Sequence, residues 1–275
     1  MKKILLLLMV ANAFAASAQH NLIVRRNQVT TLAANSRCLM LDTLILEDNA
    51  KLVLSNDISS FSMIARYCII GYNVVIDGSR NKMSKQGDQG VNAETNYSAC
   101  ADGNNGTNGM MGENGMDAPA IFLFLRIRSI GSLSIIDNGS QGGNGGNGGN
   151  GSEGSNAKLA GVGMCDSKKG GRGGDGGNGG DGGNGGNVLI SYTFINESSK
   201  KITPQPALTQ VAVYTNGTAG GMGGRNGING LHGKNIAGQR INDPKDKIEN
   251  GKPGNTGHNG KNGTYSSINI NQDPW

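Results

Sequence analysis

Histidine is the side chain best suited to acid–base catalysis near neutral pH, and it occurs at three positions: His20, His232 and His258. His232 and His258 lie in separate glycine-rich tracts, so we expect them to stay apart, with their side chains in solvent. Three aspartates stand where apolar runs give way to turns, which is ordinary turn chemistry: Asp48, Asp57 and Asp77. No G-x-S-x-G motif is present, and no Ser/His/Asp set can be assembled. The residues therefore predict no catalytic site, and we expect a protein that is not an enzyme.

Cofactor and metal sites are not predicted either. The chain has neither C-x-x-C nor Cys/His clusters with zinc spacing, and it lacks the phosphate-binding motif G-x-x-x-x-G-K-[ST]. Residues 173–178 match the first half of the calcium-binding nonapeptide, but the apolar residue that this repeat requires is missing. Basic and acidic residues are interspersed and aromatic residues make up only 4%, which argues against nucleic acid as a partner.

The four cysteines are best explained as two disulfides of an exported protein. Cys38 and Cys68 both lie in apolar stretches with strand character, whereas Cys100 and Cys165 each precede a glycine-rich tract by a few residues. Cysteines in equivalent settings are expected to pair, which predicts Cys38–Cys68 and Cys100–Cys165. The alternative is that some or all of them are buried free thiols.

Residues 1–18 have the features of a secretory signal peptide. They contain Lys2 and Lys3, an apolar core over 4–10, and the small-x-small cleavage site Ala16-Ser17-Ala18. The apolar run is shorter than the ~20 residues that a membrane-spanning helix needs, and no later segment could span as a helix. Two of the 25 basic residues lie in this segment, which leaves 23 against 20 acidic ones. We predict export to the cell surface or the medium, with the periplasm as the alternative.

Residues 19–79 are predicted to form the first part of a β scaffold. Short apolar runs alternate with turn residues, a pattern typical of β-strands, and no stretch has sustained helical periodicity. Residues 44–56 followed by 67–78 resemble successive rungs of the right-handed parallel β-helix of pectate-lyase-like proteins. That resemblance implies a mainly β fold of the β-helix or solenoid type. A β-sandwich built from similar strands is the alternative.

Residues 80–275 are predicted to alternate β-strands with glycine-rich arms. Strands are expected over 121–127, 133–136, 188–195, 211–215 and 265–270, and the glycine tracts fall between them. Each pair of tracts would run out from the scaffold and return, with tips at 155–169 and 234–250. In the first excursion we expect an irregular outgoing segment, 79–102, and a regular return.

Glycine occupies every third position in five tracts: 103–115, 139–154, 170–185, 221–233 and 251–263. Three residues is the repeat of the polyproline II helix, in which glycine on one face lets another backbone approach. Disordered, flexible arms are the alternative, and the strict frame argues against them. A collagen-like triple helix needs abundant proline, whereas only Pro253 falls inside a tract. The tracts resemble those of glycine-rich springtail antifreeze proteins and of phage tail-tip adhesins. That resemblance implies a bundle of polyglycine II helices inserted in the scaffold.

The number of glycines per turn predicts where each tract lies in such a bundle. Tracts with two glycines per turn, 142–150 and 170–187, should be central. Their predicted packing residues are Gly142, Gly145, Gly148, Gly173, Gly176, Gly179 and Gly182. Tracts with one glycine per turn, 103–115 and 251–263, should lie at the edge of the bundle. The tract from Gly217 changes from two to one near Arg225, so we expect it to leave the bundle halfway. Apolar side chains within the tracts are expected to contact adjacent arms: Met110, Met111, Ile228 and Leu231.

These features predict an exported, non-enzymatic structural or adhesion protein whose tip loops bind a cell-surface component or a glycan. A place in a larger envelope assembly is compatible with this function. The alternative is a carbohydrate-active β-helix enzyme, a polysaccharide lyase or hydrolase, with a groove lined by residues 40–80. Ice binding is a third hypothesis, from the likeness to the springtail proteins. It is weakened because Asn, Asp, Arg and Lys occupy the solvent positions.

Overall fold

The computed structural model describes residues 21–98, 100–158, 164–195, 208–240, 248 and 250–270. Apart from one short 3-10 turn, Ala34–Ser36, the regular elements of these residues are all β-strands. The strands are β1 Asn21–Val24, β2 Val29–Leu32, β3 Cys38–Leu41, β4 Thr43–Leu46, β5 Lys51–Leu54, β6 Ser60–Ile70, β7 Val74–Asp77, β8 Ala120–Ile130, β9 Leu133–Ile136, β10 Val188–Phe194, β11 Val211–Tyr214 and β12 Tyr265–Asn269.

The strands form two sheets, and every strand pair in them is parallel. The first sheet has the order β1-β4-β6-β8-β10-β12, with β3 beside β6, and the second has the order β11-β9-β7-β5-β2. Successive passes of the chain therefore add strands to both sheets in the same direction. The predicted mainly β fold is confirmed. A β-sandwich is excluded for the described strands, because sandwiches are built from antiparallel sheets.

The core is built from alternate residues of the strands. In β5, for example, Leu52 and Leu54 are buried while Lys51 and Val53 are partly exposed. The inward positions are mostly Leu, Ile and Val, which suit a pleated surface buried on one face. Burying each such side chain contributes about 1.5–3 kcal/mol to the stability of the fold. The buried cluster thereby holds the strands in place, and the glycine-rich segments leave from the ends of these strands.

A row of three asparagines aligns successive turns between the first and second sheets. Asn27, Asn49 and Asn73 all have left-handed backbones, with φ of 59°, 58° and 55°. Asparagine tolerates this conformation better than most residues do. The side-chain amide of Asn49 donates to Asn27 Oδ1 at 3.0 Å, and that of Asn73 donates to Asn49 Oδ1 at 3.4 Å. Each turn is thereby held in register with the next.

The predicted Cys38–Cys68 disulfide is wrong. Cys38 lies on β3 opposite Ser62 of β6, six positions before Cys68 on that strand. Six strand residues span roughly 20 Å, well beyond the reach of a disulfide. The thiols also lie on opposite faces of the sheet, since Cys38 is exposed and Cys68 is buried. The sequence marks both stretches as strands but does not tell which face each cysteine occupies.

The two thiols are expected to differ in reactivity. Burial raises the pKa of Cys68 to about 12, whereas the Cys38 side chain is in solvent. Because the thiolate is the nucleophile, a maleimide added to the native protein at pH 7.5 should label Cys38 and leave Cys68 unmodified. In denaturant without reductant both should react. Peptide mapping that finds Cys68 labelled in the native protein would contradict this assignment.

The predicted signal peptide, residues 1–18, lies outside the described residues and stays a prediction. Among the residues that the structure describes, no helix is long and apolar enough to cross a bilayer.

Candidate functional site

The glycine-rich segments form six arms between strands of the two sheets. Arms 1 and 2 lie between β7 and β8, arms 3 and 4 between β9 and β10, and arms 5 and 6 between β11 and β12. In chain order they comprise residues 84–93, 103–118, 138–156, 168–187, 215–234 and 251–264. Arms 1, 3 and 5 are called outgoing below, and arms 2, 4 and 6 returning.

Arms of the same direction are joined side by side through their backbones. The amide of Gly145 in arm 3 donates to the carbonyl of Met222 in arm 5 at 2.8 Å. Gly109 in arm 2 donates in the same way to Asp175 in arm 4, also at 2.8 Å. These bonds recur every third residue along both pairs, so the arms keep one register over most of their length.

Arms of opposite direction are bonded as well. Gly177 of arm 4 donates to the carbonyl of Gly146 in arm 3 at 2.8 Å, and Gly224 of arm 5 donates to that of Gly177 at 2.8 Å. The arms thus form a row of three outgoing and a row of three returning segments. Arms 3 and 4 are central, each bonded to four others, while arms 2 and 6 end the returning row. Inter-arm bonds therefore satisfy backbone groups that an isolated extended segment leaves to water.

Each of the seven predicted packing glycines faces another arm. A Cβ on Gly145 would lie 2.0 Å from the Gly177 carbonyl oxygen, and one on Gly176 would lie 2.1 Å from that of Gly224. At all seven positions the nearest oxygen would be within 2.2 Å of the added carbon. Real Cβ contacts are never this short, so these positions require glycine for close backbone approach.

The outgoing segment of the first excursion was expected to be irregular over 79–102, and for residues 84–93 this is wrong. Gly87, Gly90 and Ala93 of arm 1 donate to carbonyls of arm 3 at 2.7–2.8 Å, three residues apart. With Ser84 they form a period-three row of small residues. The sequence therefore carried a signal, but Ser and Ala in place of two glycines obscured it.

Arm 5 does not leave the bundle halfway. Gly233 near its end still donates to the Lys168 carbonyl of arm 4 at 2.9 Å. Arm 6 closely approaches the first half of arm 5, where a Cβ on Gly223 would lie 2.0 Å from the Gly254 oxygen. This close approach ends near Arg225. Further along the same row, Asn229 bridges to the Ile248 carbonyl at 2.7 Å. The change in glycine content thus marks the loss of one neighbour.

Asparagine side chains at the third position form bonds that the sequence did not reveal. Their Oδ1 atoms accept from backbone amides of the next arm: Asn144 from Met222, Asn147 from Arg225 and Asn150 from Ile228, at 2.8–2.9 Å. Returning arms repeat the pattern, with Asn178 accepting from Asn255 at 2.8 Å. Asparagine fits this position because its short amide reaches the neighbouring backbone.

The apolar residues of the arms do not pack against adjacent arms as expected. Met110, Met111, Ile228 and Leu231 are between 54% and 68% exposed. The physical reason is that the arms approach through their glycine rows, which leaves no room for bulky side chains between backbones. Exposed apolar side chains in a row are unusual enough to require a functional explanation.

The tips combine a covalent link with exposed side chains. The predicted Cys100–Cys165 disulfide is confirmed, with 5.8 Å between the Cα atoms, and it joins the tip of the first excursion to that of the second. Tyr97 and Met164 nearby are 93% and 74% exposed. At the third tip, Arg240 pairs with Glu153 of arm 3 at 3.2 Å. All three tips are therefore connected.

Reducing the tip disulfide should lower stability. It encloses a sequence separation of 65 residues, for which chain entropy predicts a contribution of roughly 4 kcal/mol. We expect the Cys100→Ser/Cys165→Ser protein to unfold at lower urea concentration and to be cleaved faster near the tips. The Cys38→Ser protein is the control and should match the parent. Equal unfolding midpoints for the double variant and this control would contradict the prediction.

A buried charged cluster lies where the arms meet the sheets. Asp137, after β9, is fully buried, and neither carboxylate oxygen has a hydrogen-bond partner among the described residues. Burial raises its pKa to about 7, with nearby Arg80 opposing and Asp77 reinforcing the shift. Asp77 itself pairs with Lys51, whose Nζ lies 2.7 Å from Oδ2. Arg80 donates to the backbone carbonyls of Asp117, Ser55, Asn56 and Ile58, so it ties the first arm to the scaffold.

The residues first considered for catalysis are not brought together. His232 is near the tip of arm 5, whereas His258 lies mid-way along arm 6, where its backbone amide donates to Asp181. Within the described ranges, no group of three or more His, Cys, Asp or Glu could hold a metal ion. Asp48 binds Arg26 and the Tyr72 amide at a turn. His20 lies outside the described residues.

No protein-family model matches the chain, and no curated protein matches it.

Proposed function

We propose that this is an exported, non-enzymatic adhesion or structural protein. In this proposal a parallel β-helix scaffold carries six polyglycine II arms, and the arm tips bind a cell-surface component or a glycan. The observation that carries it is the repeating network of backbone hydrogen bonds between arms, because such a network makes a glycine-rich segment stiff enough to hold loops away from the scaffold. Rigid elements that present exposed loops are a common basis of recognition.

The chemistry at the tips supports binding. Tyr97, Met164 and Ile236 expose more than half of their surface, and Ile236 lies on the same tip as the charged residues Lys234 and Arg240. Aromatic and apolar side chains beside polar ones are typical of binding surfaces. The disulfide and the Arg240–Glu153 pair keep the tips together, which reduces the entropy that a partner must overcome on binding.

The enzyme hypothesis is less well supported by the geometry. The neighbouring carboxylates Asp77 and Asp137 are buried, so a polymeric substrate cannot reach them. An open groove of about 190 Å³ beside arms 1 and 3 is lined by Arg80, Lys82, Met83, Ser140 and neutral polar residues. None of its lining side chains is a carboxylate or an imidazole that could transfer a proton near neutral pH.

An array of short oligosaccharides probed with the labelled protein tests this function, because a short glycan can fit a tip loop but cannot lie along several turns of an arm. We expect binding that Tyr97→Ala/Ile236→Ser abolishes and that Met111→Ser, on an exposed arm position away from the tips, leaves unchanged. A parallel assay with polygalacturonate should show no release of unsaturated or reducing ends. Retained binding by the tip variant, or cleavage of the polymer, would overturn the proposal.

A further inference from the structure

The outgoing arms expose two adjacent rows of different chemistry. The first row, on arm 3, consists of the amides of Asn144, Asn147 and Asn150. The second row, on arm 5, includes Met222, Ile228 and Leu231, which are 71%, 68% and 54% exposed. We call the two rows together the outgoing face.

The two rows are fixed in one register. Because each asparagine Oδ1 accepts from the backbone amide of the residue beside it, Asn144 is tied to Met222 and Asn150 to Ile228. The same bonds fix the orientation of the amide groups. Their Nδ2 atoms form no hydrogen bond with the residues that the structure describes, so they can donate to another molecule.

The spacing along each row is regular. Successive members are one turn of three residues apart, which corresponds to roughly 9 Å at the polyproline II rise. A straight strip of repeating hydrogen-bond donors beside repeating apolar side chains suits a linear polymer with polar edges and apolar faces. The sugar rings of a polysaccharide have both and repeat along the chain, whereas the surface of an irregular globular partner would match only part of the strip. Arg225, between Met222 and Ile228 in the second row, adds a donor of positive charge.

We propose that the outgoing face binds a polysaccharide chain that lies along arms 3 and 5. This site is separate from the tip loops, so it does not depend on their proposed function. The hydrogen-bonding edges of the sugars would contact the asparagine row, and their apolar faces would contact the side chains of arm 5.

Co-sedimentation with insoluble cellulose, chitin and peptidoglycan tests the proposal with the full exported chain. We expect retention on at least one polymer, and Met222→Ser/Ile228→Ser should weaken it by about ten-fold through lost apolar contact. Both side chains are largely exposed, so the variant should keep the parent's unfolding midpoint. Met111→Ser, exposed on arm 2 in the returning row, is the matched control and should bind like the parent.

A second pair of variants separates recognition from arm stability. Asn147→Ala removes the bond to the Arg225 amide, and Asn178→Ala removes the equivalent bond to the Asn255 amide on the returning arms. Only Asn147→Ala should reduce retention, while the two should lower stability equally. Three results would overturn the proposal: no retention on any of the three polymers, equal loss in variant and control, or a self-associated parent that Met222→Ser/Ile228→Ser converts to monomer. Tip variants should leave retention unchanged, which distinguishes this site from the tips.

Discussion

Gly176→Val is expected to lower the free energy of unfolding by roughly 3 kcal/mol or more, or to prevent ordered arms from forming. Gly176 lies in the central arm 4, and a Cβ there would be 2.1 Å from the Gly224 carbonyl oxygen. Its own amide donates to the Lys252 carbonyl at 2.8 Å. The valine would therefore separate arms 4 and 5 and disturb the bond to arm 6, and no flexible side chain is present to absorb the clash.

Urea unfolding followed by circular dichroism measures the effect, and Gly176→Ala provides a smaller change should the valine variant not fold. Thr256→Val is the control, since Thr256 is exposed on arm 6. In flexible arms, replacing glycine would be neutral or slightly stabilising, because it reduces the entropy of the unfolded chain. The sign of the change thus separates an ordered bundle from loose linkers, and equal midpoints for Gly176→Val and Thr256→Val would contradict the bundle.

The second large effect is expected at Asp137, where Asp137→Asn should make stability nearly independent of pH between about 5 and 8. In the parent, burial raises the pKa of Asp137 to about 7 from an ordinary 3.8. The folded state therefore holds the proton more tightly than the unfolded state. This stabilisation is complete below the unfolded pKa and is lost as the pH rises through about 7, a difference of roughly 4 kcal/mol.

Two other charged groups near Asp137, Asp77 and Arg80, also have shifted pKa values. Burial raises the pKa of Asp77, but its hydrogen bonds with Lys51 and Ser79 and the charge of Lys51 lower it below 3.8 overall, so its stabilisation is lost only in stronger acid. Burial lowers the pKa of Arg80 from 12.5, and Asp137, Asp57 and Asp117 oppose the shift. Lys51 is paired with Asp77.

Unfolding midpoints at pH 5, 6, 7 and 8 measure the effect of Asp137→Asn. The variant should be more stable than the parent at pH 8 and should lose the parent's fall in stability, which is steepest between pH 5 and 7. Asp166→Asn, at an exposed tip position, serves as the control and should keep the parent's profile. If the parent's unfolding midpoint did not change across this range, the prediction would be contradicted, because ionisation of Asp137 would then not lower the free energy of unfolding.

The glycine frame carried most of what the sequence could predict about the arms. An added Cβ at these positions would lie within 2.2 Å of a backbone oxygen of another arm, so each face that approaches a neighbour needs glycine. Two glycines per turn at 142–150 and 170–187 were therefore enough to identify the arms with most neighbours. Arm 1 escaped prediction because Ser84 and Ala93 are small enough to replace glycine in the row, and composition alone does not distinguish them from loop residues.

Other features depended on which face a residue occupies, and strand patterns alone do not give that. Cys38 and Cys68 both looked like strand residues, yet one faces solvent and the other the core. Asp137 follows β9 as an ordinary turn aspartate would, but in the fold Gly78 and Gly186 pack against its carboxylate and help to bury it. The asparagine rows looked like solvent positions, because a bond to a neighbouring backbone leaves no mark in local sequence.

The frame of three also governs how such a chain can change in length. Residues joined by the same kind of side-chain bond are 58 positions apart between arms 1 and 3, but 78 apart between arms 3 and 5. Unequal arms and the longer stretch between a returning arm and the next outgoing one, 188–214 against 119–137, account for most of this difference, while the tips 94–102 and 157–167 differ by two residues. Insertions outside the arms therefore leave the register of the arms intact. Within an arm, an insertion of one or two residues would turn glycines outward and side chains into the neighbouring backbone. Only additions of three, matched in the adjoining arms, would lengthen the bundle, and gain or loss of whole out-and-back pairs would widen or narrow it.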